Sequence, residues 1–130
     1  MTVYVFHNPL RETIDYLETR LADYPAGTTV GAKVPSTATA PYLQVAWDGS
    51  PGGTQQVETG AVRVTAWAPK GQSTLAADVA SLARKHALEM ATATIWRTTP
   101  GAGRLPDVDP DSGLPFCSFT VNADVRPVTP

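Results

Sequence analysis

The chain has 130 residues, enough for one domain with its own hydrophobic core, and we expect residues 1–130 to form a single domain. Its residues are 42% hydrophobic and 17% charged, a composition that excludes a disordered chain and is typical of a globular protein. The formal net charge is −2, and the ten Lys and Arg residues form no basic run, which argues against tight binding of nucleic acid.

Cysteine usage and the lack of targeting signals point to a protein of a reducing compartment. Cys117 is the only cysteine, so no intrachain disulfide can form. The sequence does not start with a basic segment followed by an apolar one, so we expect no signal peptide. No apolar run approaches the roughly 20 residues that a membrane-spanning helix needs.

An amphipathic helix is predicted over residues 9–23, with Asn8 as its N-cap and Pro9 as its first residue. Pro25 and Gly27 follow it and end the pattern. The apolar residues recur at spacings of three and four and form one stripe, which consists of Leu10, Ile14, Leu17, Leu21 and Tyr24.

A second helix is predicted over residues 74–91, with Ser73 as its N-cap. Its alanines favour helix and allow close packing against a sheet. Its stripe consists of Leu75, Val79, Leu82, His86 and Met90.

Two strands are predicted after the first helix: residues 29–34 form a short, edge-like strand, and residues 41–47 form a longer one. Residues 48–54 contain three glycines and are expected to be a flexible connection. On the longer strand, one face carries Leu43, Val45 and Trp47.

A third strand is predicted over residues 57–68, where alternate residues are apolar. Gly60 is interpreted as a bulge in this strand. Residues 94–97 begin a further short strand, which Pro100 interrupts.

The clearest strand in the sequence is the last one, which is predicted to end at Pro127. One face carries Cys117, Phe119, Val121, Ala123 and Val125, and the other carries Ser118, Thr120, Asn122, Asp124 and Arg126. We therefore expect Phe119 in the core and Asp124 on the opposite face, which needs water, another strand or another subunit. The change Phe119→Asp should prevent folding, whereas Asp124→Ala should not.

Two amphipathic helices and several half-buried strands predict an α+β fold. The expected architecture is a two-layer sandwich, with both helices packed on one face of a mostly antiparallel sheet of four to five strands.

The acidic segment before the last strand is predicted to be a polar turn. Asp107, Asp109 and Asp111 resemble the start of a calcium-binding EF-hand loop, but Gly113 and Ser118 do not fit its sixth and twelfth positions. We therefore expect no metal ion here, and we interpret the three aspartates as candidates for an interface or for the lining of a lumen.

The sequence contains no motif that predicts catalysis or cofactor binding, so we expect a protein that is not an enzyme. Neither His7 nor His86 has a second ligand at metal-binding spacing. We expect His86 to be packed and hydrogen-bonded, and His7 to lie on a terminal arm.

Three side chains on the polar faces of strands are further candidate interface residues. Trp67 is one, because a large aromatic side chain on a polar face can anchor a partner. Packing at the end of the sheet is the alternative for Trp67. Arg63 and Arg126 complete the set.

The order of these features resembles the tail terminator (tail completion) proteins of long-tailed, non-contractile phages that infect actinobacteria. The resemblance covers nearly the whole chain, and its features begin with the N-terminal amphipathic helix. The segments that carry it are residues 30–35 (VGAKVP), 62–68 (VRVTAWA), which lead into the Ala-rich helix, 105–107 (LPD), 110–115 (PDSGLP) and 125–126 (VR). In the family an arginine often follows the Gly-x-Pro near the last strand, whereas here Phe116 does.

The resemblance implies a structural virion protein, assembled in the host cytoplasm, at the neck between head and tail. Such proteins form a hexameric ring that caps the tail tube, ends tube polymerisation and joins the tail to the head-side connector. The implied partners are other copies of the chain, the major tail tube protein and the connector or stopper. Genomic DNA passes through the lumen without sequence-specific binding, and no membrane or cofactor is implied.

Two alternatives stay open at this point. One is a head-side neck protein, either a stopper or an adaptor, although two helices with a sheet fit the terminator better. The other is a small α+β domain that binds a ligand or catalyses a reaction, which would be a monomer or dimer with a deep polar pocket.

Overall fold

The helices of the computed structural model, which describes residues 9–48, 52–53 and 58–126, are shorter than their patterns predict. Helix α1 covers Leu10–Glu18, and a single 3₁₀ turn at Leu21–Asp23 follows it. Helix α2 covers Ser73–Leu88. The break after α1 keeps the predicted stripe in place, since Ile14, Leu17 and Tyr24 are all buried.

Neither helix begins as the sequence predicts. Pro9 and Gln72 occupy the N-cap positions, and neither makes a capping bond through its side chain. The prediction that Ser73 is the N-cap of α2 is therefore wrong, because Ser73 is already the first helical residue. Asn8, the predicted cap of α1, and His7 lie outside the described residues.

The described residues form seven strands in one sheet, and every pairing among them except β1 with β2 is antiparallel. The order along the sheet is β1-β2-β4-β7-β5, while β3 pairs with β4 and β6 pairs with β7. The strands are β1 Thr29–Gly31, β2 Tyr42–Trp47, β3 Gly52–Gly53, β4 Glu58–Trp67, β5 Ile95–Pro100, β6 Leu105–Val108 and β7 Pro115–Val125. The predicted α+β class and the mostly antiparallel sheet are confirmed, but the sheet has more strands than the four to five predicted.

The strands that the sequence did not predict are β3 and β6, where glycine and proline argue against strand, whereas β5 corresponds to the strand predicted at residues 94–97 and runs on to Pro100. The pair Gly52–Gly53 lies within the predicted flexible connection, whose remaining residues after Asp48 lie outside the described ranges. Strands β5 and β6 lie one after the other along the same side of β7, opposite Val121–Val125 and Pro115–Ser118. Between them, Thr120 bonds to the backbone of Gly101 and Ala102.

The register across the central strands aligns their apolar faces. Val64 lies opposite Val45 on one side and opposite Phe119 on the other, and all three are buried. The pairing of β4 with β7 runs without a shift from Glu58 to Trp67, so the predicted bulge at Gly60 is wrong. The irregularity lies instead in β5, between Ile95 and Arg97.

One hydrophobic cluster contains buried residues of both helices and of strands β2, β4 and β7. Phe119 is 1% exposed, as the alternation in β7 predicts. Small side chains line the buried face of α2 and allow its backbone to approach the sheet closely: Ala76, Ala80, Ala83 and Ala87. Neither helix in the described ranges is long and apolar enough to cross a membrane.

Candidate functional site

The acidic turn between β6 and β7 is held together by Asp109. Its carboxylate accepts a hydrogen bond from the Ser112 hydroxyl at 2.7 Å and from the backbone amides of Ser112 and Asp111 at 3.3 and 3.4 Å. The Gly113 amide donates to the Asp109 carbonyl at 2.8 Å, and Gly113 has a φ of +73°, which favours glycine. The Ser112 hydroxyl and the backbone amides of Asp111 and Ser112 hold the pKa of Asp109 below its usual value.

The other two aspartates of this segment are exposed and do not converge with Asp109. Asp107 lies on β6, where its carboxylate accepts from the Val108 amide at 2.8 Å, and Asp111 lies at the tip of the turn. Within the ranges that the structure describes, no three carboxylate, imidazole or thiol groups come together as ligands for a metal ion. The segment is therefore a turn ordered by the hydrogen bonds of Asp109, and the carboxylates of Asp107 and Asp111 are exposed.

Trp67 is packed within its own chain, on the sheet face opposite the main cluster. Its indole nitrogen donates to the Gln44 side-chain oxygen at 3.0 Å, and its ring lies 4.8 Å from that of Phe116. Only 6% of Trp67 is exposed. Phe116 thus covers the indole, and a partner that binds here would meet Phe116 and Gln44 together with Trp67.

The two candidate arginines are both exposed, but they lie far apart on the sheet. Arg63 projects from the middle of β4 and contacts the Asp48 carboxylate at 3.4 Å. Arg126 follows the end of β7, where its backbone amide donates to the Thr94 carbonyl at 2.6 Å. Asp107 lies beside Phe116 near the opposite end of β7. The structure therefore does not gather the predicted residues into one site.

Asp124 lies on the polar face of β7, yet only 9% of the residue is exposed. Its carboxylate accepts from the Thr59 hydroxyl at 2.7 Å and from two nitrogens of Arg97 at 2.9 and 2.8 Å. These bonds link β4, β7 and β5 on the outer face of the sheet. Alternation alone could not show this pair, because it depends on the register between β5 and β7.

His86 is a buried residue of α2 that connects this helix to α1 and to the 3₁₀ turn after it. Its Nδ1 lies 2.9 Å from the Tyr24 hydroxyl, its Nε2 lies 3.2 Å from the Asp23 carboxylate, and its carbonyl accepts from the Tyr16 hydroxyl at 3.0 Å. The prediction of a packed, hydrogen-bonded histidine is confirmed. Burial, and then the Asp23 charge, raise the pKa of the Tyr24 phenol, so it stays protonated as part of this brace.

Two surface hollows are lined by described residues of mixed character. One, of about 290 Å³, is lined by Glu12, Asp15, Tyr16, Thr19 and Thr92. Another, of about 370 Å³, is lined by Ala77, Arg104, Pro106 and Cys117. Burial raises the pKa of the Cys117 thiol, which makes it a poor nucleophile at neutral pH.

The most distinctive surface feature is the position of the exposed large apolar side chains, which sequence reasoning missed. Val34 follows β1 at one margin of the sheet and is 63% exposed. The others lie in β5 and β6, at the opposite margin: Trp96 at 40%, Leu105 at 62% and Val108 at 49% exposed. A sequence signal existed for two of them, because Val34 and Leu105 each directly precede a proline, and prolines often mark chain surfaces.

Comparison with models of known protein families gives no match, and no curated protein sequence matches the chain.

Proposed function

We propose that this chain is a structural protein of a phage virion and acts as a tail terminator. In this role a ring of six copies caps the tail tube, stops its polymerisation and joins the tail to the head-side connector. DNA passes through the lumen of the ring. The observation that supports this best is that the exposed large apolar side chains of the described residues lie at two opposite margins of the sheet.

Exposed apolar residues at sheet margins favour assembly over chemistry. A monomeric protein protects its open strand edges or covers them, because unpaired edges attract other chains. Here the margin formed by β5 and β6 is mostly exposed over residues 96–107. A subunit with two different adhesive margins assembles head to tail, and such a contact produces a ring when the rotation closes.

The packing of the helices fits this role. Buried residues of α1 and α2 share one hydrophobic cluster with β2, β4 and β7, so we interpret the domain as a two-layer sandwich. In that arrangement the second face of the sheet has no covering layer. It offers a polar surface to the tail tube protein or the connector, with Gln44, Ser118, Thr120 and Asn122 among its residues.

The charges fit a ring through which DNA moves. The chain carries a net charge of −2 without a basic run, and such a surface does not retain a polyanion. Asp107, Asp109 and Asp111 would lie at the rim of the ring or at its contacts between subunits. We therefore expect no sequence-specific DNA contact.

Tail tube polymerisation tests the proposal. The purified chain is added to growing tubes of the major tail protein, and tube lengths and ends are measured by negative-stain electron microscopy. We expect tube growth to stop and the images to show extra density, of the thickness of a single ring, at one end of each tube. Unchanged growth and bare ends would contradict the terminator role, and binding to the connector alone would favour the stopper or adaptor alternative.

A further inference from the structure

The margin that ends in β6 presents two apolar side chains and a carboxylate to a neighbour. Leu105 and Val108 are 62% and 49% exposed, and Asp107 lies between them along the same strand. Strand β6 already pairs with β7 on its other side, so its free side is the outer boundary of the sheet. Pro106 lacks a backbone donor, which prevents continuous pairing with an arbitrary strand and leaves selection of a partner to the side chains.

The margin that carries β1 lies at the far end of the strand order. Strand β1 pairs only with β2 among the described strands, and the exposed residues Ala32, Lys33 and Val34 follow it directly. This segment is fixed in place by Tyr42. A backbone hydrogen bond joins Lys33 to the Tyr42 side chain, whose hydroxyl would lie 2.5 Å from a Cβ added at Gly31.

The two margins are complementary in charge as well as in apolar character. One presents Lys33 beside Val34, and the other presents Asp107 beside Val108. Within the described ranges, neither Lys33 nor Asp107 belongs to an ion pair. The arginines near the second margin have other partners, since Arg97 binds Asp124 and Arg104 donates to Ser81.

We propose that a second copy of this chain occupies each margin, so that residues 29–34 of one copy pack against Leu105–Val108 of the next. Lys33 then lies opposite Asp107, and Val34 packs against Val108, because both pairs are consecutive residues whose side chains point to alternate faces. Because the margins lie on opposite sides of the subunit, each copy uses both, and the contact is head to tail. This inference rests on the proposed ring and assigns the surfaces that build it.

Charge reversal tests the pairing by sedimentation velocity over a range of concentrations, with and without tail tubes. We expect Lys33→Asp and Asp107→Lys each to weaken association about tenfold, because each places like charges together. The double variant should return to within about threefold of the wild type. Matched controls are Lys85→Asp and Asp78→Lys, which make the same charge changes on the exposed side of α2 and should have no effect.

A disulfide trap gives a second readout that does not depend on charge. Strands β1 and β6 lie four strand spacings apart, roughly 19 Å, so Val34, which follows β1, and Val108 on β6 are too far apart for an intrachain disulfide. Under mild oxidation the variant with Val34→Cys and Val108→Cys should therefore form covalent multimers that end in closed rings. A variant with Val34→Cys and Asn122→Cys should not.

The outcomes separate the inference from the proposed function. If the wild type assembles while the single reversals behave like their controls, or while the double variant stays as weak as the singles, these margins are not the contact and the ring uses another surface. If the wild type remains a monomer both alone and with tail tubes, the inference and the ring both fail.

Discussion

At the scale of single residues, Asp124 shows how much a polar side chain on the outer face of the sheet can contribute to the free energy of unfolding. Asp124→Ala would leave the Thr59 hydroxyl and the Arg97 guanidinium without their acceptor. Since Arg97 is half exposed, we expect a loss of about 1–3 kcal/mol in the free energy of unfolding. Urea denaturation measures it. Asn122→Ala, two residues away and exposed, should change stability by less than about 0.5 kcal/mol, and equal losses in both variants would contradict the role of Asp124.

Asp109 gives the acidic turn a pH dependence. Because its pKa is lowered in the folded state, its contribution to stability is present above the unfolded-state pKa and is lost as the pH falls through the folded-state value. Asp109→Asn should therefore narrow the difference in melting temperature between pH 5 and pH 3. Asp111→Asn, which alters an exposed carboxylate in the same turn, should leave that difference unchanged. A wild-type pH profile in Asp109→Asn would refute the assignment.

At the scale of elements, the alternation in β7 fixes both its faces and its register. Phe119 lies opposite Val64 and is 1% exposed, so Phe119→Asp places a charge in the core and should prevent folding. Asn122→Asp places the same charge on the exposed face and should give soluble, folded protein. Circular dichroism and soluble yield measure the difference, and equal behaviour of the two variants would show that the faces are assigned wrongly.

Periodicity predicted the helical stripes and β7 because one face of each is buried against the cluster, and burial imposes a regular spacing. It could not predict that residues 98–100 and 105–108 are strands, because Pro100, Gly101, Gly103 and Pro106 count against a strand there. Prolines are tolerated here because β5 and β6 are edge strands, which need backbone donors only on the side that faces β7. In the gap between β5 and β6, Thr120 of β7 bonds to Gly101 and Ala102. Nor could it predict the brace at His86, which depends on contacts between distant segments.

At the scale of the whole molecule, the candidate surfaces became clear only from the topology. The sequence pointed to aspartates, arginines and Trp67, yet Trp67 is covered by its own chain, and Arg126 lies far from the acidic turn. Strand order instead places Val34 at one margin of the sheet and Leu105 and Val108 at the other. Sequence position alone does not show which residues share a margin, because strand order differs from chain order.

The proposed ring is tested most directly by the mass of the assembled species. Native mass spectrometry or sedimentation should detect a closed species of six copies of 13.8 kDa, either in solution or released from the ends of tail tubes. We predict this hexamer for the wild type. A chain that stays monomeric at all concentrations and never associates with tail tubes would contradict the account.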